Sequence, residues 1–324
     1  MIGVYFLLLV GFSALLIKST DILTDSLQEL AKITKIGKFA ITSILLAFAT
    51  SVPELVVGVT AALEGRQNMA LGVVLGSNIA DISLVIGGAA VIGGSFSVAG
   101  EFLKMDIFSV FLAGVLPLML LLDNRLSRVD GIILLLVYGM YNYGLLQKRT
   151  RQRYRVEGQS RILRKMFSKT VRKRLNRWLA WLFLGAAMLM FSADMIIKTG
   201  VVLAQSLGVP VFLVGLFLVA IGTSLPELSF EIGAVKRKQI GMALGDLFGS
   251  VVANSTLVLG VVSLINPIRL KNGLNAYLLA AAAFGVMFLL FWFFVRSKRK
   301  LERWEGAVLI LVYVGFVLLE WLGK

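Results

Sequence analysis

One six-residue pattern occurs twice in this chain. Ala49-Thr50-Ser51-Val52-Pro53-Glu54 and Gly222-Thr223-Ser224-Leu225-Pro226-Glu227 lie 173 positions apart, each inside an apolar run long enough to cross a bilayer. The same offset carries Asp21 to Asp194, Gly72 to Gly245, Gly76 to Gly249 and Ser77 to Ser250, and it carries Asp81 to Asn254. A register that runs without a gap over that distance is the mark of duplication. Each half must therefore fold alike, and each must keep a carboxylate in the middle of an apolar span.

The spans themselves follow from hydropathy. Of the 324 residues, 58% are hydrophobic and the mean hydropathy is +0.88, whereas a soluble domain holds roughly 45–50% apolar residues. Apolar runs near 20 residues, the length that crosses a bilayer, fall at about 39–62, 69–94, 105–122, 129–147, 178–207, 210–235, 240–265, 273–295 and 305–322. An opening run of about 30 residues precedes them and reads as a long tilted helix. It lacks a basic leader region and a small-residue cleavage site, so it reads as a retained first span. The expected fold is an all-α polytopic membrane protein of ten transmembrane helices, arranged as two inverted five-helix repeats. The first repeat covers 1–147 with its duplicated core at about 39–94. The second covers 178–324 with its core at about 210–265. Five crossings per half put the halves in opposite orientations, and such transporters bind substrate near the midplane, where the repeats meet.

The net charge of +15 suggests nucleic acid until it is located. Thirteen of the 33 Lys and Arg lie between Lys148 and Arg177, opposed only by Glu157. That distribution follows the positive-inside bias. Segment 148–177 is therefore expected to be a cytoplasmic loop, in contact with anionic lipid headgroups and not with nucleic acid. The basic turns 236–238 and 296–303 then fall on the same side, with Lys32, Lys35 and Lys38. Both termini fall outside, with Arg125, Arg128, Arg269 and Lys271 there against the bias. A multi-pass plasma-membrane protein is expected. The composition does not specify an oligomeric state.

The chain has no cysteine and no histidine. Disulfides, thiolate or imidazole metal sites and the commonest proton relay are excluded. A bound cation must be held by oxygen, which suits hard ions such as Na⁺ and Ca²⁺. Glu54 and Glu227 are mid-span acids with no cation near them in the same span, a costly placement unless they serve an ion path. The proline before each removes a backbone donor, and a carbonyl freed in this way can face a cation. Thr50 and Glu54, Ser77 and Asp81, and Ser250 and Asn254 are each four residues apart, hence on one helix face. Glu231 and Asp246 have only Gly58 and Val73 as counterparts. They fit an inner vestibule, an extra ion site, or pairing with Lys236 or Lys238. Asp21 and Asp194 fit capping or gating.

At these residues the sequence resembles the Na⁺/Ca²⁺ exchangers of the cation/Ca²⁺ exchanger superfamily. The resemblance lies in the two repeats, 49–86 and 222–259, with Gly76-Ser77-Asn78-Ile79-Ala80-Asp81 especially similar. It extends to ten spans and a central loop too short for regulatory Ca²⁺-binding domains. It implies helices 2, 3, 7 and 8 as a core, with helices 1 and 6 sliding across it. It implies Glu54, Asp81, Glu227 and Asn254 as the central ligands, completed by Thr50, Ser51, Ser77, Thr223, Ser224 and Ser250. Na⁺ and Ca²⁺ would be the transported ions, with no cofactor and no enzymatic step. The chain departs from the family pattern at Ala49, Val73, Glu231, Asp246 and 251–253. Two other functions use the same features: a Ca²⁺/H⁺ antiporter on the same fold, and a passive cation channel, although nothing resembles a filter loop.

Overall fold

The computed structural model describes residues 2–34, 38–63, 65, 67–98, 106–153, 169–206, 224–270 and 275–322. Ten helical stretches follow one another among these residues, five before residue 154 and five after residue 168. They are α1 (Ile2–Thr34), a bent stretch made of α2 (38–50) and α3 (Val52–Leu63), α4 (67–93), α5 (Asp106–Leu120), α6 (Arg128–Arg153), α7 (Lys169–Ser206), α8 (Leu225–Lys236), α9 (Ile240–Ile265), α10 (Asn275–Lys298) and α11 (Arg303–Leu322). Five segments among the described residues are long and apolar enough to cross a membrane alone: Ala70–Gly93, Arg128–Gln147, Arg172–Ser192, Ile240–Ile265 and Tyr277–Lys298. The bent stretch makes a sixth when its halves are taken as one crossing. The first half of the expected seventh span, including Thr223, lies outside the described residues.

The helices flanking the basic segment are longer than their apolar runs. α6 continues to Arg153 and α7 begins at Lys169, so helix intrudes into both ends of 148–177. Hydropathy marks only the part of a helix that lipid covers. Lys, Arg and Gln are good helix formers once in water, and a helix that has started propagates through them.

The inversion of the halves is visible in helix pairing. α1 and α7 are repeat equivalents and pack against each other along their length. Phe12 meets Phe191 edge to face at 6.1 Å, Gly185 lies against Ile22 and Leu23, and Arg174 reaches Glu29 at 3.5 Å. Rising numbers on one helix meet falling numbers on the other, so equivalent helices run antiparallel.

Two short strand pairs pin the ends of the bundle. β1 (Phe96–Ser97) pairs with β4 (Lys300–Leu301), and β2 (Arg125–Leu126) pairs with β3 (Ile268–Arg269), both antiparallel. The repeat operation exchanges the two pairs. β1 falls within one residue of the equivalent of β3 and β2 within two residues of that of β4, and each pair joins one half to the other. Beside β4, Lys300, Trp304 and Lys298 hold the half-buried Glu302 carboxyl down at about 2.

Glycines set the closest helix approaches. A Cβ at Gly87 would stand 2.7 Å from the Gly306 carbonyl, and one at Gly131 would stand 2.8 Å from the Gly260 carbonyl. Gly87 and Gly260 are 173 apart, so the same backbone contact is built twice. In lipid, where apolar surface gives no drive to associate, this packing of small residues holds helices together.

Candidate cation site

The duplicated motif does not form one straight helix. α2 ends at Thr50, Ser51 takes φ −81° and ψ 0°, and α3 starts at Val52, with a 46° bend between the halves. The cause is Pro53. It cannot donate to the Ala49 carbonyl, and its ring crowds the preceding turn. As the second residue of α3, it is in the first turn, where its missing N–H costs nothing. Ser224 takes a similar conformation, φ −95° and ψ 6°, at the start of α8, with Pro226 and Glu227 in the first turn. Each glutamate thus sits at the N-terminus of a half-helix, where the backbone N–H groups and dipole favour negative charge.

A second pair of irregularities lies across from these breaks. In α4 the helix widens to π geometry at Asp81–Val85, and in α9 it does so at Ala253–Val258. The two segments are repeat equivalents, one beginning at Asp81 and the other containing Asn254. A π turn leaves backbone groups out of the regular ladder and is frequent at functional sites. No residue pattern announces it: Asp81 and Asn254 are legible from spacing, but the widening that presents them is not.

These four irregular points meet. The α9 backbone comes unusually close to α2: a Cβ at Gly249 would stand 2.5 Å from both the Ser43 carbonyl oxygen and the Ala47 Cβ. That approach brings Ser250 Oγ to 3.5 Å from Thr50 Oγ1. Ser77 Oγ donates to Glu54 Oε1 at 3.4 Å, and Asn78 Nδ2 donates to Ser255 Oγ at 2.7 Å. Glu227 lies within Coulombic reach of Glu54, Asp81 and Asp246. Thr50, Ser51, Glu54, Ser77, Asp81, Ser224, Glu227, Ser250 and Asn254 are all buried. The structure therefore gathers nine of the ten sequence-nominated residues in the protein interior, and the tenth is Thr223.

The polar atoms gathered there are under-satisfied. Glu54 Oε2, Glu227 Oε2, Ser51 Oγ, Asn78 Oδ1 and Asn254 Oδ1 are buried with no hydrogen-bond partner. No basic residue pairs with any of these acids among the described residues. Buried carboxylates without a countercharge cost several kcal/mol each, so the arrangement calls for a positive guest. No three acids converge on one point among the described residues. A cation there needs mixed donors: one or two carboxylates with hydroxyl, amide and carbonyl oxygens. Na⁺ and Ca²⁺ both accept such sets.

Asn78 and Ser255 were not singled out by the sequence, although Asn78 stands inside the Gly76–Asp81 stretch. Their bond ties α4 to α9 beside the π segments, and neither has a polar counterpart in the other half, where Val251 and Ile82 stand. Asp21 and Asp194 are outside the cluster. The Arg237 guanidinium binds Asp21 and also Asp25, the latter at 2.7 Å, while Lys198 pairs with Asp194 one turn away at 2.8 Å. Glu231 and Asp246 are fully buried and do not pair with Lys236 or Lys238, which removes one of the three expected roles.

Between α1 and α8 a groove of about 410 Å³ runs from Leu225 past Leu228 and Ile232 to Lys236 and Arg237. It is bridged by Thr20 Oγ1 and Ser229 Oγ at 2.7 Å and closed at its basic end by Arg237, which binds Asp21 and Asp25 on α1.

Known proteins share this architecture. The sodium/calcium exchanger protein family matches residues 4–147 and 177–322. The putative antiporter CaxA of Alkalimonas amylolytica is 30% identical over 321 residues, 95% of each chain. Inner membrane protein YrbG of Escherichia coli K12 is 32% identical over 263 residues, covering 81% of this chain and 79% of that one. Sodium/calcium exchanger MaX1 of Methanosarcina acetivorans is 26% identical, covering 98% of both. Among solved structures, the sodium-calcium exchanger NCX_Mj soaked with 2.5 mM Na⁺ and 1 mM Sr²⁺ superposes with a TM-score of 0.80 at 24% identity, over 98% of this chain and 99% of that one.

Proposed function

The chain belongs to the sodium/calcium exchanger protein family, and on that premise we propose that it is a secondary antiporter exchanging Na⁺ for Ca²⁺ by alternating access. The observation that carries this reading is the set of buried, unpartnered oxygens on Glu54, Glu227 and Asn254, gathered where two proline-led helix starts meet two π segments. Glu54, Asp81, Glu227 and Asn254 are the central ligands. Thr50, Ser51, Ser77, Thr223, Ser224 and Ser250 complete the shells of Na⁺ and Ca²⁺.

The coupling follows from electrostatics. Three carboxylates share one interior, and either one Ca²⁺ or several Na⁺ offset most of their charge. The two loads use overlapping ligands, so each excludes the other. The empty cavity keeps its charge, and occluding uncompensated charge costs several kcal/mol. Loaded states therefore cross and the empty one does not, which makes exchange obligatory. The α1–α7 pair supplies the moving part. It meets the core across the groove along α8, held by the Thr20–Ser229 bond and the Arg237 clamp, whereas α9 and α2 are locked backbone to backbone at Gly249. Segment 148–177 and the basic turns 236–238 and 296–303 face the cytoplasm, with β1 and β4 on that side and β2 and β3 on the other.

Reconstituted vesicles test this directly. An outward Na⁺ gradient is expected to drive Ca²⁺ uptake, and Glu54→Gln or Glu227→Gln to lower it by about two orders of magnitude or more. Undiminished flux in either variant overturns the assignment. Uptake driven by a H⁺ gradient in the absence of Na⁺ transfers the same site to Ca²⁺/H⁺ exchange, and uptake that ignores both gradients marks a channel.

A further inference from the structure

We propose that Glu231 and Asp246 form a second cation site, one helical turn from the central cluster toward the 237–239 turn, charge-matched to one divalent ion such as Ca²⁺. The inference uses the exchange reading only to locate the site. Glu231 lies one turn beyond Glu227 on α8, and Asp246 lies one turn before Ser250 on α9. These helices pack together and are joined by the turn 237–239. Antiparallel neighbours joined in this way place both acids at the same depth. Asp246 and Asp81 both lie within Coulombic reach of Glu231.

The second observation is the state of their oxygens. Both side chains have no exposed surface, and all four carboxylate oxygens lack a hydrogen-bond partner. Among the described residues, these are the two acids with both carboxylate oxygens buried and unmet. The basic turn does not relieve it: Arg237 is engaged by Asp21 and Asp25, and Lys236 and Lys238 form no ion pair with either acid. Buried acceptors are nearly always met in a native fold, and a bound cation would meet these.

The opposite half is built to exclude such a guest. The counterpart of Glu231 is Gly58, where a Cβ would already stand 3.0 Å from Val262 Cγ2 and 3.2 Å from Val258 Cγ1. The counterpart of Asp246 is Val73. The acidic layer therefore exists on one side of the central site only. It places a cation between that site and the basic, cytoplasmic end of the bundle, where an ion released inward passes it.

Neutral amides test the proposal without changing shape. In purified protein, equilibrium dialysis against ⁴⁵Ca²⁺ should show Glu231→Gln/Asp246→Asn binding one Ca²⁺ fewer than the parent. Glu54→Gln should lose the central ion and keep this one. Removing two buried charges should also raise the thermal unfolding midpoint in EDTA, with the gap to the parent closing in saturating Ca²⁺, since ligand binding stabilises only the state that holds the site. The single variants Glu231→Gln and Asp246→Asn give the same readout if the double variant fails to fold. Parental Ca²⁺ stoichiometry in the amide variants overturns the second site. So does a midpoint difference that follows pH and ignores Ca²⁺, which would make these acids proton carriers. Parental stoichiometry in Glu54→Gln overturns the central assignment instead and leaves this one standing.

Discussion

The two halves of the molecule agree in backbone and differ in charge. Val52–Leu63 and Leu225–Lys236 are helices of 12 residues placed 173 apart, and the π segments at Asp81–Val85 and Ala253–Val258 fall at equivalent positions. Yet Asp81 answers to Asn254, Gly58 to Glu231, Val73 to Asp246, and Asn78 to Val251. The shared features are those that shape a helix: proline, the residue before it, and glycine at close crossings. The differing features set which charge stands at a given depth. Duplication accounts for the shared backbone, and substitution for the unequal charge.

The comparison is strained hardest at the shared acids. Because Glu54 and Glu227 occupy equivalent half-helix starts, their amide variants should fail alike in vesicle flux, each by about two orders of magnitude. Failure of one alone would show that the halves are not equivalent at the centre.

The next test concerns Asp81 and Asn254. Asp81→Asn leaves an amide on both sides and should weaken Ca²⁺ binding about 10- to 100-fold by equilibrium dialysis. The exchanged pair Asp81→Asn/Asn254→Asp keeps the total charge, and should restore affinity to within about tenfold of the parent. Continued loss in the exchanged pair would show that the side on which the acid stands matters.

Stability effects are smaller. Gly249→Ala forces a methyl to 2.5 Å from the Ser43 carbonyl, with backbone on one side and Ala47 on the other. It should cost about 1–3 kcal/mol in detergent unfolding, while Gly285→Ala, with open space around it, should not destabilise. Ser255→Ala leaves the buried Asn78 amide without its acceptor and should cost about 1 kcal/mol or somewhat more. The same change has no counterpart in the other half, where Ile82 stands. Smallest is Arg237→Gln. Its ion pairs are partly exposed and screened, so stability should move by at most about 1 kcal/mol. The readout is then the ratio of inward to outward exchange rates, which should shift because one end of α1 is freed from the α8–α9 turn.

The long-range order was legible in the sequence because membrane folding leaves few choices. Every backbone group in lipid must bond within its own helix, so apolar runs mark helices and their odd number per half marks inversion. Mid-span Glu54 and Glu227 stood out because charge in lipid is expensive without a purpose. The helix ends around 148–177 were less legible, since charged residues beyond the bilayer continue a helix that hydropathy no longer detects.

By itself, the sequence determined the duplication, the all-helical membrane fold, the oxygen-only chemistry and the identity of the acids. Tertiary structure decided what those acids face. Whether Glu231 would find Lys236 or remain unpaired depends on which way α8 turns, and Arg237 is taken by a helix more than 200 residues earlier in the chain. The widening at Asp81 and Asn254 likewise depends on packing between helices, for which no local residue pattern exists. Spacing places a side chain on its own helix, but only the contact between helices fixes what lies opposite.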